Sequence, residues 1–316
     1  MTNASRTFLF DITTLKWDQE LLSEFGIPEH CLPEVFPSSA NFGTIKSGPL
    51  AGIQVGALIG DQHAASLGHG IFNSGQVKHT YGTGCFLMMN IGEKPRFNPQ
   101  SGLLCTVLYQ LGSQKPCYAL EGSIETGGNT INWLKDKLGV FKDWNEMSEL
   151  IENLPNNEGV YFVPAFNGLF SPFWRDDVSG MLIGLSAHTS RAHVVRAALE
   201  AICYRTKDVI DAMEKESGLI ISSLNVDGGI TVNEFLMQFQ ADLLQKRLKK
   251  TKIKDSTGLG AAFAAGHHAG AWKDFEELGD KIKTEKQFAY QVEKKKEFDG
   301  YYEKWQACLE KSFNWK

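Results

Sequence analysis

The chain contains no apolar run near the ~20 residues needed to cross a bilayer, and its opening, Met1-Thr2-Asn3-Ala4-Ser5-Arg6, has none of the hydrophobic stretch of a secretory signal. A cytoplasmic protein without an integral membrane segment is the expectation. Excess positive charge is also lacking: 32 Lys and Arg stand against 37 Asp and Glu, a formal charge of -5, with no broad basic face. Nucleic acid is therefore not an expected partner, because neutralising phosphates needs clustered cations. The six cysteines (Cys31, Cys85, Cys105, Cys117, Cys203, Cys308) form no CxxC, and the eight histidines no HExxH. Reduced structural thiols are expected rather than zinc or disulfides, and no residue is assigned as a metal ligand. His267-His268, in an Ala/Gly-rich helical stretch, reads as packing or surface. Neither common phosphate-binding signature is present: GxxxxGK[ST] is missing, and Gly258-Leu259-Gly260 fails the GxGxxG pattern at Phe263. Internal repeats and a Pro- or Ser-rich linker are missing too, so no clean domain boundary shows.

What remains is enough for a globular fold: 42% hydrophobic and 22% charged residues over 316 positions can bury a sizeable core. Strand-like runs alternate with helical periods, which predicts an α/β architecture. Ile53 to Ile59 reads as a strand stopping at Gly60-Asp61, with a helix from Gln62 to Leu67. Val77 to Tyr81, Phe86 to Ile91 and Tyr118 to Leu120 read as strands, the first two joined by a hairpin whose glycines, Gly82 and Gly84, leave the backbone accessible. From the N-cap Ser190, the stripe Val195, Leu199, Ile202, Thr206, Val209 and Met213 predicts a long packed helix. Leu224 to Asp227 reads as a strand entering Gly228-Gly229, followed by a helix with Val232, Leu236, Phe239 and Leu243 inward. A last helix carries Phe298, Tyr301, Trp305 and Leu309. Near the start, Trp17, Leu21, Leu22 and Phe25 predict a short amphipathic helix ended by Gly26. Residues 1 to 50 offer it few strands to cover. The run Lys246 to Lys254 reads as a solvated edge strand or surface loop.

Three glycine turns are candidate ligand contacts: Thr80-Tyr81-Gly82-Thr83-Gly84-Cys85, Glu125-Thr126-Gly127-Gly128 and Val226-Asp227-Gly228-Gly229. A side chain at the glycines would block close approach, and free backbone N–H groups suit phosphate or a nucleotide. Asp61, at a strand end before a helix, has two readings that the spacing leaves open. It can cap the helix, or it can take a proton from a hydroxyl that attacks a γ-phosphate.

Asn3 to Thr7, Gly60-Asp61-Gln62, Thr80 to Phe86, Ala119 to Gly122, Phe162 to Phe166 and Val226 to Gly229, with Gly180 to Leu185 and Ala197 to Glu200, resemble the glycerol-phosphorylating branch of the FGGY carbohydrate kinases. The resemblance runs in order from Asn3 to Trp315. It implies an actin-like, ribonuclease-H-like ATPase fold, mainly the C-terminal lobe of a two-lobe sugar kinase. Residues 1-70 would be a remnant of the N-terminal lobe and 71-316 the C-terminal, nucleotide-binding lobe. It also implies ATP and Mg²⁺ as cofactors, glycerol as substrate, ADP as product and a homo-oligomer at full length. By the same likeness Asp61 is the catalytic base, Gln62 and Phe86 contact glycerol, and Thr83, Gly128, Asn132, Gly229 and Asn233 surround the nucleotide. At Asn132 the family more often has glutamine, and after the helix ending near Leu244 it has a short apolar strand where this chain has lysines. The phosphate loop and Arg-Glu pair of the first lobe have no counterpart, so an impaired or inactive fragment with exposed apolar surface over residues 1 to 70 is expected. A nucleotide-binding protein without catalysis, or a kinase for another sugar, are the alternatives.

Overall fold

The computed structural model describes residues 1–316 apart from Asn153, Lys273 and Asp280, and apart from the side chains of Phe275 and Glu276. Its strands are β1 (Phe10–Asp11), β2 (Lys16–Trp17), β3 (Val77–Tyr81), β4 (Cys85–Gly92), β5 (Leu104–Tyr109), β6 (Cys117–Ile124), β7 (Tyr161–Val163), β8 (Met181–Ile183), β9 (Ser223–Asp227), β10 (Arg247–Thr251) and β11 (Thr284–Phe288). The helices are α1 (Gln19–Glu24), α2 (Asp61–Gly68), α3 (Gly128–Asp136), α4 (Trp144–Glu152), α5 (Arg191–Ser217), α6 (Glu234–Leu244), α7 (Ser256–His268), α8 (Phe275–Gly279) and α9 (Lys295–Lys311).

A mixed seven-stranded sheet in the order β11-β10-β9-β3-β4-β6-β5 organises the chain. β9 pairs in parallel with β3 and with β10, and the other neighbours run antiparallel. Alternation along β3 divides the two faces. Val77, His79 and Tyr81 are buried on the side of α5 and α6, where the Tyr81 hydroxyl donates to Gln240 Oε1 of α6 at 3.1 Å. Lys78 and Thr80 point to the side of α2 and α7. The first side holds the larger core, built on α5 with Val195, Leu199, Ile202, Val209 and Met213 buried against β4 and β6. Leu67, Ile71, Met88, Leu108 and Ala264 form a smaller core on the other side. There α2 and α7 approach closely: an ideal Cβ on Gly260 would lie 1.7 Å from the Ala64 carbonyl oxygen, and one on Gly68 1.9 Å from that of Ser256.

Several sequence expectations change in three dimensions. Ile53 to Ile59 forms no strand of a sheet, only isolated bridges at Gln54 and Ala57, since these residues find single partners in Thr44 and Ser39. Val232 lies outside α6 and is 64% exposed, whereas Leu236, Phe239 and Leu243 are buried as the period predicts. The lysine run supplies β10, which is neither loop nor edge: β9 flanks it on one side and β11 on the other. Trp17 belongs to β2 rather than to α1. Helix α1, capped by Asp18 Oδ1 accepting from the amides of Glu20 and Leu21, buries Leu22 and leaves Leu21 and Phe25 exposed.

Candidate functional site

The site begins at α2. Gly60 precedes the helix in a space too small for a side chain, since a Cβ would lie 2.9 Å from His63 Nδ1 and 3.0 Å from Asn3 Oδ1; its N–H donates to Thr2 Oγ1 at 2.9 Å. Asp61 is the first residue of α2 and is exposed, its Oδ1 accepting from the Gln62 amide at 2.7 Å. Gly60, not Asp61, occupies the N-cap position. The aspartate's open carboxylate is thus fixed in the first turn of a helix, where the dipole favours negative charge.

Gln62 is held from below. Its Oε1 accepts from Nζ of Lys78, which also donates to Thr80 Oγ1 at 3.0 Å. Lys78 is wholly buried in the middle of β3, and burial pulls its ammonium down to about 8 against the opposing pull of the Asp227, Glu121 and Asp61 carboxylates. Glu121, on the same face of β6, pairs with Arg6 at 2.7 Å; burial raises its carboxyl while Arg6 and Lys78 draw it back. Further along the face, Asp227 at the end of β9 accepts from His69 Nε2 at 2.8 Å and from Ser256 Oγ at 2.9 Å. Burial alone would raise the Asp227 carboxyl, but His69, the Thr80 hydroxyl and Lys78 together hold it well below the usual carboxylate range. Phe86 lies opposite Thr80 in the β3–β4 ladder, and Thr80 lies opposite Asp227 in the β3–β9 ladder. Phe86 is 36% exposed, unusual for a large apolar residue in a central strand.

At the end of the sheet the three glycine turns meet. Thr83 is the tip of the hairpin between β3 and β4. The amides of Gly127 and Asn129 donate to the Thr83 carbonyl at 3.0 Å, and that of Gly128 to the Gly82 carbonyl at 2.9 Å. These amides lock α3 to the hairpin, so they are not the free donors the sequence suggested; the Thr83 N–H, at an exposed position, enters no such bond among the described residues. A Cβ on Gly128 would sit 2.9 Å from the Gly82 carbonyl oxygen and 3.9 Å from Ile230 Cδ1, so the third turn adjoins the second. Gly228, at φ +100, presses on β3 so closely that a Cβ would lie 2.2 Å from the Tyr81 carbonyl oxygen. Gly229 next to it is exposed, and a Cβ there would meet nothing within 4 Å. Asn132 is exposed one turn into α3, whereas Asn233 is 6% exposed and caps α6, its Oδ1 accepting from the Leu236 amide at 2.8 Å.

The structure therefore places Asp61 and Gln62 of α2 and Phe86 of β4 on the side of the sheet that carries Lys78 and Thr80, and sets Thr83, Gly128 and Gly229 at the adjoining turns, with Asn132 further along α3 and Asn233 capping α6. Sequence reasoning missed the polar support beneath them: Lys78, the Arg6–Glu121 pair, and His69 with Ser256 on Asp227. A lysine inside the otherwise strand-forming run Val77 to Tyr81 was the available signal. Among the described residues, no group of three or more His, Cys, Asp or Glu could hold a metal ion, and no helix is long and apolar enough to cross a membrane.

The profile of the FGGY family of carbohydrate kinases matches this chain in both its parts, the N-terminal domain over residues 1–68 and the C-terminal domain over residues 77–269. The chain belongs to the FGGY family of carbohydrate kinases, and its fold is the actin-like ATPase fold of those enzymes. Among its relatives, glycerol kinase of Acidiphilium cryptum (strain JF-5) is 43% identical over 315 residues, 100% of this chain and 63% of that protein. Glycerol kinase of Corynebacterium kroppenstedtii is 43% identical over 316 residues, 61% of that protein. The crystal structure of Plasmodium falciparum glycerol kinase with ADP superposes with a TM-score of 0.92 at 36% identity, covering 98% of this chain and 62% of that one. A xylulose kinase from Lactobacillus acidophilus, at 21% identity and a TM-score of 0.89, shares the fold. The chain spans about 62% of the length of these relatives.

Proposed function

We propose that this chain carries the base, the alcohol-facing wall and the nucleotide turns of an ATP-dependent glycerol kinase acting in the cytoplasm. The observation that carries the reading is the exposed Asp61 carboxylate, anchored on α2 next to the Gln62–Lys78 support and on the same sheet face as the half-open Phe86 ring. The 43% identity to proteins named glycerol kinase along the whole chain supports glycerol over a larger sugar. Residues 1–70 are assigned to the first lobe and 71–316 to the second, which the two profile matches, ending at 68 and starting at 77, support.

In this reading Asp61 accepts the proton of a terminal hydroxyl as that oxygen attacks the γ-phosphorus of ATP in line, giving glycerol 3-phosphate and ADP. Gln62, its carbonyl oxygen engaged by Lys78, presents its amide N–H groups to the alcohol. Phe86 lies against the carbon backbone. Lys78 lends a fixed cation beneath the reacting groups at no cost of reorganisation. The open space over Gly229 and the exposed tip at Thr83 fit a nucleotide, with Gly128 and Asn132 beside it and Asn233 holding the start of α6. In this reading Mg²⁺ would come with the nucleotide, held by its phosphates and by one or two carboxylates at most.

The test joins residues 1–316 to the preceding residues of the Acidiphilium cryptum relative and assays phosphoryl transfer to glycerol, ribulose and xylulose. Glycerol is expected to give the highest kcat/KM. Asp61→Asn should lower kcat by about 10²–10⁴ while ADP affinity stays within about twofold. A variant keeping more than about a tenth of wild-type kcat would remove Asp61 as base, and a fusion that binds ADP without transfer to any alcohol would favour a nucleotide-binding protein.

A further inference from the structure

Beyond the C-terminus of α2, on the side of the sheet that carries Lys78 and Asp227, lies a cavity of about 590 Å³, the size of a small-ligand site. Asn225, Lys249 and Thr251 of β9 and β10 line it from the sheet, with His69 at the end of α2 and Lys283 and Thr284 at the start of β11. Its lining holds two lysines and no acidic residue among the described residues. Of the neighbouring cations, Lys246 meets Glu214 at 2.8 Å, Lys250 meets Glu285 at 3.3 Å and Lys286 meets Glu234, while Arg247 of β10, exposed and outside the lining, meets no carboxylate among the described residues. Lys249 and Lys283 meet no carboxylate among the described residues. Lys249 is only partly exposed and its ammonium has no carboxylate partner, so charge attraction favours an anion beside it. His69 is 1% exposed and its Nδ1 has no hydrogen-bond partner, although its Nε2 is bonded to Asp227. Hydroxyls at Thr251 and Thr284 add donors suited to a tetrahedral oxyanion.

We propose that this cavity binds a small phosphate-bearing anion and that its occupancy is felt, through His69 and Asp227, at the Gly228-Gly229 turn. The connection is short. His69 lines the cavity, its ring is bonded to Asp227, and Asp227 is the residue immediately before Gly228. The Asn225 side-chain amide, also in the lining, donates to the His69 carbonyl at 2.6 Å and ties the same two elements together. An anion on Lys249 and Lys283 would act on the imidazole, and a shift of that ring moves the carboxylate that ends β9. The proposal does not depend on the reaction assigned to the other end of α2.

The test uses the chain with inorganic phosphate as probe, against sodium chloride at matched ionic strength, followed by the His69 ring and Gly229 amide resonances. Saturable shifts of both are expected, with Kd of about 1–10 mM. Lys283→Gln, a change at an exposed position, should weaken binding about tenfold or more, and Lys249→Gln at least as much. Phenyl phosphate binding more tightly than inorganic phosphate would mark an esterified ligand whose apolar part reaches Phe72 and Ile282; equal binding would mark free phosphate. The proposal is overturned if phosphate gives no more than the chloride response, or if the response survives Lys283→Gln and disappears in Gly229→Ala, which would put the anion in the glycine turns. A His69 shift without one at Gly229 overturns the coupling.

Discussion

At the scale of single residues, two neighbouring glycines separate what folding requires from what a ligand requires. Gly228 is fixed by the fold: its φ of +100 and the Tyr81 carbonyl leave no room for a side chain. Gly229 has no such reason to be glycine, because a Cβ there meets only open space. Its small size matters only if something else comes to occupy that space. Gly229→Ala is accordingly expected to leave the thermal midpoint within about 2 °C of wild type while weakening ADP binding about tenfold, read by calorimetric titration. Unchanged ADP affinity would take Gly229 out of the nucleotide contact set. Asp61 makes the complementary case. Among the described residues its carboxylate bonds only its own neighbour's amide, so replacing it by asparagine should cost little stability whatever it does to turnover.

At the scale of elements, α2 does two jobs along its length. Its first turn presents Asp61 and Gln62, and its last turn delivers His69 to Asp227. The helix holds that line because α7 packs on it with backbone nearly touching backbone at Gly260 and Gly68. Gly260→Ala should push the two helices apart. We expect a loss of about 1–3 kcal/mol in urea-induced unfolding, with the Lys78–Gln62 contact disturbed as α2 shifts. An unchanged unfolding midpoint would mean that the pair tolerates a wider spacing than the structure has. β10 shows how context overrides composition. Its lysines read as an edge, yet Leu248 is fully buried and β11 covers the strand. The carboxylates of Glu214 and Glu285 meet the lysine tips, so the charged heads stay at the rim while the stems pack.

Across the whole molecule, four histidines are buried among the described residues, His63, His69, His79 and His193, and for two of them, His63 of α2 and His79 of β3, burial strongly disfavours the charged ring. Burial, together with the Lys78 charge, lowers His79 to about 3; burial with Arg6 and Lys78 does the same for His63. Both rings are neutral in the folded chain and take up a proton near pH 6.5 once unfolded. Between about pH 6.5 and pH 3 the unfolded state binds more protons, so stability is full above that window and falls as pH drops through it, by up to about 1.4 kcal/mol per pH unit for each ring. Urea midpoints at pH 7, 6 and 5 check this, and His79→Phe should make the dependence shallower. A midpoint that does not move over that range would mean that neither ring is neutral because of burial. The apolar side chains left open early in the chain, Phe8 at 87%, Phe25 at 59% and Leu58 at 55%, agree with the sequence-based expectation of exposed hydrophobic surface there.

The elements with a strong local signal were legible without coordinates. β3 falls on Val77 to Tyr81 as read, and α5 begins directly after Ser190, because alternation and the 3.6-residue period are properties of consecutive residues. The family and its glycine turns were legible for a similar reason, each being a short contiguous pattern. β5 and β11 went unread: Leu104 to Tyr109 mixes its faces, and Thr284 to Phe288 is nearly all polar, so each becomes a strand only through its neighbour in the sheet. The support of the site was hidden in the same way. Lys78 reaches Gln62 across 16 positions, Arg6 reaches Glu121 across 115, and His69 reaches Asp227 across 158. The sequence alone determined which residues could do chemistry, since that depends on side-chain type and local spacing. Tertiary structure alone decided which of them are dry, which are paired and which stay open to a ligand, because burial and charge pairing arise only where distant segments meet.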